Sequence, residues 1–213
     1  MINAEHVSAY LHALSGPRSE VMADMERVAG EDHVPIVHWE TGRLLAVLVA
    51  ALRPARVIEV GTAIGYSTLH MAEAIGDGTV VTLERDPDRI AQARSFWARA
   101  GVSERIELIE GDATETLRTL EGPFDMAFVD ATKQEYADYL RLVEPKLAPH
   151  ALVAIDNTLM SGEVALPADA ETFWSAENLA VARALNEELM GSDEWLAAVL
   201  PVGDGVTLMT RRP

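Results

Sequence analysis

The stretch Val57-Ile58-Glu59-Val60-Gly61-Thr62-Ala63-Ile64-Gly65-Tyr66-Ser67-Thr68 decides the fold. Its apolar opening reads as a buried strand, its glycines as a tight turn, and the residues after them as the start of a helix. Outward from this unit the alternation continues. Strands are predicted at 56–60, 80–83, 106–109, 124–129 and 151–155, with helices at 67–75, 87–100, 114–120 and 135–147 between them. Such a rhythm predicts an α/β fold with a doubly wound parallel sheet and helices on both faces. After a loop over 158–172 and a helix near 178–190, two apolar runs at 195–200 and 206–210 flank Pro201-Val202-Gly203-Asp204-Gly205. They predict an antiparallel hairpin that closes a seven-stranded, mostly parallel sheet.

Amphipathic segments at 3–14 and 17–30 and an apolar helix from about Glu40 to Leu52 precede the core. They read as a helical cap, so a single domain over 1–213 is expected, with residues 1–53 as cap and 54–213 as core. The 213 residues include no cysteine, which excludes disulfides, thiolate nucleophiles and cysteine zinc sites. The longest apolar stretch, Leu44 to Leu52, is too short to span a bilayer, and a cytoplasmic, non-membrane protein is expected. A formal charge of −17 without a basic cluster argues against nucleic acid and for a small organic substrate.

Asp130 and Asp156 each end an apolar run, so both carboxylates are expected at the same sheet edge, where open α/β sheets bind ligands. With the carbonyl of Asn157 they form a hard donor set suited to Mg²⁺, Ca²⁺ or Mn²⁺. Only two of the 17 cationic residues are lysines, Lys133 and Lys146. Lysine, unlike arginine, can act as a base, which makes Lys133 beside the acids the candidate proton acceptor. The bland alternatives are a surface lysine and an Asp-Asn turn. The six histidines are scattered without ligand spacing.

Around the glycine turn, Ala63 breaks the Gly-x-Gly-x-x-Gly pattern that seats a pyrophosphate, which disfavours a nicotinamide oxidoreductase. Glu59 under the loop would repel a phosphate and favour a ligand carrying an amine or sulfonium. Glu84, ending the second strand, is placed to accept ribose hydroxyls. Asp112 in Gly111-Asp112-Ala113 falls at the same edge, or caps the helix that follows. Trp39, His38 and Trp174 either line an aromatic acceptor pocket or simply pack.

These motifs, in this order, resemble the class I S-adenosylmethionine-dependent methyltransferases with their Rossmann-like sheet. Within them the chain is similar to the metal-dependent O-methyltransferases typified by catechol and caffeoyl-coenzyme A O-methyltransferases. The matching segments are the glycine-turn stretch, Glu84, Gly111-Asp112-Ala113, Phe124-Asp125-Met126-Ala127-Phe128-Val129-Asp130-Ala131-Thr132-Lys133, Ile155-Asp156-Asn157-Thr158-Leu159 and Leu200-Pro201-Val202-Gly203-Asp204-Gly205-Val206. The resemblance implies S-adenosylmethionine contacts from Glu59, Gly61, Thr62, Tyr66, Ser67, Glu84, Asp112, Ala113 and Asp130, with Val37 covering it from the cap. It implies a cation held by Asp130, Asp156 and Asn157, Lys133 as base, a catechol-like acceptor and a homodimer. Alternatives are a metal-independent small-molecule methyltransferase and a non-catalytic nucleoside-binding protein. The chain departs from the family at Met160, where tryptophan is frequent, at Pro35, where methionine is, and at Pro149-His150, which replace a glycine pair and predict a changed turn.

Overall fold

The computed structural model describes residues 5–167 and 169–213. Its cap comprises α1 (Glu5–Leu14), α2 (Glu20–Glu31) and α3 (Trp39–Leu52). The predicted start of the first helix at Asn3 lies outside the described residues. Helix α2 begins later than Pro17 because the Ser19 hydroxyl accepts the Met22 N–H, capping the first turn.

Seven strands follow: β1 (Arg56–Val60), β2 (Thr79–Glu84), β3 (Ile106–Glu110), β4 (Phe124–Val129), β5 (Leu147–Ile155), β6 (Trp195–Leu200) and β7 (Val206–Arg211). Between them run α4 (Tyr66–Ala74), α5 (Pro87–Ala100), α6 (Ala113–Thr119), α7 (Tyr136–Val143) and α8 (Ala176–Met190). The sheet order is β3-β2-β1-β4-β5-β7-β6. Neighbours from β3 to β5 are parallel, and β7 runs antiparallel to both β5 and β6, as the alternation and the terminal hairpin predict. The strand order reverses between β1 and β4, which opens the crevice at their C-terminal ends.

Period-two side chains divide the core. Val57, Val80, Met126, Phe128 and Ala154 face Met25, Leu45, Val49, Leu69 and Phe96 from α2 to α5. Ile58, Val81, Ala127, Val129, Val153 and Ile155 face Leu117, Tyr139, Val143, Leu185 and Leu189 from α6 to α8. Each buried Val, Leu, Ile, Phe or Met among them contributes about 1.5–3 kcal/mol, and losing either layer would undo the sheet edge that carries the acids.

Two predicted boundaries fail for local reasons. The helix predicted over 135–147 is cut to Tyr136–Val143, because Pro145 cannot continue it and a 3₁₀ turn takes over at Glu144–Lys146. Pro149-His150 do not form the expected turn before β5 but lie within it. Phe124 pairs with Leu147 and Met126 with Leu152, so β5 bulges outward there.

Gly61 fixes how β1 meets β4. Its φ is +100°, and a Cβ would sit 2.3 Å from the carbonyl oxygen of Asp130. Gly61→Ala is expected to cost about 2–4 kcal/mol through backbone strain and overlap. Urea denaturation checks this; an unchanged midpoint would contradict the close approach.

Candidate active site

A cavity of about 560 Å³ lies over the C-terminal ends of the parallel strands. Val37, Gly61, Thr62, Tyr66, Ser67, Glu84, Asp112, Ala113, Asp130, Lys133, Asp156 and Asn157 all line it. The structure thus gathers in one place every predicted site residue but Glu59. Glu84 Oε2 accepts the Ala63 N–H at 2.8 Å, and Oε1 accepts those of Arg85 and Asp86 at 2.9 and 3.1 Å. Three backbone donors therefore fix this carboxylate at the cavity wall. Ala63 adopts φ +47°, the left-handed backbone a glycine would take without strain. Asp112 fulfils both of its readings: it lines the cavity, and it caps α6 by accepting from Thr114 N and Glu115 N.

Glu59 departs from the expectation of direct contact. It is fully buried beneath the turn and accepts the hydroxyls of Ser67, Thr68 and Thr82 at 2.5–2.6 Å. Thr82 also shares a 2.6 Å hydrogen bond with Thr62. Burial pushes the Glu59 carboxyl up to about 7 despite the three donors that pull it down. Its effect on a ligand would pass through Ser67 and Thr62. The sequence offered no sign of this, because the three hydroxyls come from α4 and β2, which only the fold brings under the turn.

The corner between β4 and β5 concentrates charge. The parallel register aligns Val129 with Ile155, and Asp156 N donates to Val129 O at 3.1 Å, so Asp130 and Asp156 leave neighbouring strands together. Lys133, on the 3₁₀ turn that precedes α7, places Nζ 2.7 Å from Asp130 Oδ1 and over the ring of Tyr136. Asp156 is 2% exposed, and its Oδ1 has no hydrogen-bond partner. Burial, then the charge of Asp130, push its carboxyl well above the usual range. An orphaned buried oxygen beside a second carboxylate and an amide is a donor set that fits a hard cation. Among the described residues no group of three or more histidine or acidic side chains has metal-binding geometry; Asn157 lines the cavity beside the two carboxylates.

A second cavity of about 1320 Å³ adjoins the first and shares Ile36, Val37, Tyr66, Phe173, Trp174 and Asp204 with it. His38, Trp39 and Trp174 line it. Pro35 lines the first cavity. Tyr66 bridges the two spaces and donates its hydroxyl to Glu26 of α2, which also receives Arg18 at 2.9 Å and so ties the cap to α4. Phe173 and Glu163 are among the groups that no sequence signal marks. Phe173 is 88% exposed at the rim, and Glu163 accepts the N–H groups of Phe173 and Trp174 at 3.1 and 3.0 Å, anchoring that loop.

Residues 12–212 match the model of a family described as O-methyltransferase. The chain belongs to the O-methyltransferase family. It is 35% identical to a caffeoyl-CoA O-methyltransferase of Stellaria longipes, over 99% of this chain and 92% of the relative. It is 34% identical to a catechol O-methyltransferase of Mycobacterium tuberculosis, over 83% and 74%. The solved O-methyltransferase TomG of Streptomyces achromogenes, in complex with SAM, superposes with a TM-score of 0.82 at 29% identity, over 98% of this chain and 96% of that one. Membership in the O-methyltransferases removes the nicotinamide oxidoreductase reading. No helix among the described residues is long and apolar enough to cross a membrane.

The raised Asp156 makes a stability prediction for this O-methyltransferase. A carboxyl raised on folding contributes stability below its unfolded value that is lost as pH rises through the folded value. Without added metal, Asp156→Asn should therefore melt higher than the unsubstituted protein at pH 8, and the gain should shrink at pH 5. Thermal unfolding at both pH values is the check. Equal midpoints at pH 8 would mean that the carboxylate is not strained.

Proposed function

We propose that this O-methyltransferase transfers the sulfonium methyl of S-adenosylmethionine to one hydroxyl of a small catechol-like, vicinal dihydroxy aromatic, with the help of a divalent cation, Mg²⁺ being the simplest choice. The observation that carries the reading is the corner where Lys133 Nζ stands 2.7 Å from Asp130 and the orphaned oxygen of Asp156 lies beside it. The names of the two relatives, one acting on caffeoyl-CoA and one on catechol, support an acceptor of this class.

In this reading the first cavity takes the methyl donor. The fixed Glu84 carboxylate has acceptor lone pairs for ribose hydroxyls, and Asp112 and Ala113 flank it. Gly61, Thr62, Tyr66 and Ser67 form the wall toward the cap, with Val37 closing over it. Asp130, Asp156 and Asn157 would hold the cation, which when bound lowers the pKa of a coordinated hydroxyl. Lys133 Nζ, paired with Asp130 as the ammonium, would hold the oxyanion; to take the hydroxyl proton it must first release its own proton to solvent and act as the neutral amine. The acceptor oxygen then attacks the methyl carbon in line. One C–O bond forms, the C–S bond breaks, and the sulfonium leaves as a neutral thioether.

An anion and a cation become neutral products, so the site must fix their geometry while keeping water out. The aromatic rim of Trp39, Phe173 and Trp174, shared with or adjoining the donor cavity, suits that task and the flat acceptor. Residues 1–53 would cover the site and 54–213 carry it, within one catalytic domain, and the homodimer implied by the resemblance belongs to the same reading.

Lys133→Ala should lower kcat by roughly 10²- to 10⁴-fold while S-adenosylhomocysteine still binds by calorimetry. Unchanged turnover would remove Lys133 from the chemistry. Asp156→Ala, or a chelator added to the unsubstituted enzyme, should abolish methyl transfer. Full turnover in chelator would transfer the reading to a metal-independent methyltransferase.

A further inference from the structure

Asp204 has no role in the sequence reading, although it stands within the Leu200–Val206 segment between β6 and β7. In the structure its carboxylate joins three other parts of the chain. Ser161 Oγ donates to Oδ1 at 2.7 Å, His38 Nε2 lies 3.4 Å from the same oxygen, and Asn157 Nδ2 lies 3.4 Å from Oδ2. The backbone fixes this position independently of the side chains. Thr158 N donates to Gly205 O at 3.0 Å and Leu159 N to Asp204 O at 3.1 Å. At Gly205, with φ +94°, a Cβ would stand 2.4 Å from Leu159 N, so the two loops touch backbone to backbone. Asn157 itself takes φ +59°, a conformation asparagine tolerates.

We propose that Asp204 is a positioning residue for Asn157, holding its amide so that the carbonyl oxygen, and not the NH₂, is presented to a hard cation. The inference rests on the reading of Asp130, Asp156 and Asn157 as cation donors. Its physical basis is asymmetric chemistry. An ionised carboxylate accepts hydrogen bonds and donates none, so it selects the NH₂ end of the amide and turns the oxygen the other way. An unrestrained asparagine presents either end, and the donor end repels a cation. Carboxylates and carbonyls that bind metals are oriented by such outer partners, whose loss weakens metal affinity about 10- to 100-fold. Asp204 borders the same cavity, so a direct ligand role is the competing explanation, and the test separates the two.

Mn²⁺ binding is measured from the electron paramagnetic resonance signal of the free ion, with S-adenosylhomocysteine affinity and the thermal midpoint measured beside it. Asp204→Asn keeps the size and retains an oxygen for Ser161. It should weaken Mn²⁺ about 10-fold, with S-adenosylhomocysteine affinity within about twofold. In the Asn157→Asp background, where both ends of the side chain are oxygens, Asp204→Asn should cause no further weakening. Equal weakening in both backgrounds would overturn the positioning role in favour of direct ligation. Asp204→Asn binding Mn²⁺ as tightly as the unsubstituted protein would overturn it outright. Absence of Mn²⁺ binding by the unsubstituted protein would instead overturn the cation reading on which it stands.

Discussion

Two carboxylates leave adjacent parallel strands at one buried corner, and the rest of the site answers to that constraint. At a strand spacing of about 5 Å and an effective dielectric constant of ~20, two such charges repel by about 3 kcal/mol. The fold answers this cost in three ways. Lys133 lies against Asp130, protonation of Asp156 is favoured by its burial, and the next polar group in the cavity wall is the uncharged amide of Asn157. A third carboxylate there would have deepened the repulsion. The arrangement is poor for stability and good for receiving positive charge, which is the mark of a functional corner more than of a structural one.

The surrounding framework exists to keep that corner rigid. Gly61 lets the glycine turn lie against the backbone of Asp130, so the turn and the acidic corner share one wall of the first cavity. Beneath the turn, Glu59 gathers Ser67, Thr68 and Thr82 into a buried polar knot, joining β1, α4 and β2 where an apolar core would have left the turn free to shift. From above, Tyr66 and Arg18 converge on Glu26 and hold the cap against α4. The same elements that bury the core therefore position the chemistry.

The strands and the terminal hairpin are legible because each apolar run is short and bounded by turn residues, and the runs of β2, β4 and β5 end at an acid, Glu84, Asp130 and Asp156. The helix before β5 is shorter than its apolar periodicity suggests, because Pro145 clashes with the preceding turn and lacks the N–H to continue it. Pro149-His150 carry a turn signal, and nothing in the sequence shows that β4 can pair across a bulge. Glu59 was placed at the ligand because its neighbours in the chain are there, while its hydrogen-bond partners at 67, 68 and 82 are assembled only in three dimensions. Asp204 lies 47 residues from Asn157 and carries no local signal linking the two. Local pattern reveals which strand ends bear acids; it does not reveal which side chains orient them.

We propose at this corner a cation-assisted methyl transfer to one of two neighbouring hydroxyls. The direct measurement is transfer of a labelled methyl group from S-adenosylmethionine to catechol and to phenol, each in Mg²⁺ and in chelator. Labelled catechol is expected in Mg²⁺, with little label in chelator and little on phenol, which lacks the second hydroxyl. Equal labelling of catechol in chelator, or of phenol and catechol in Mg²⁺, would contradict it.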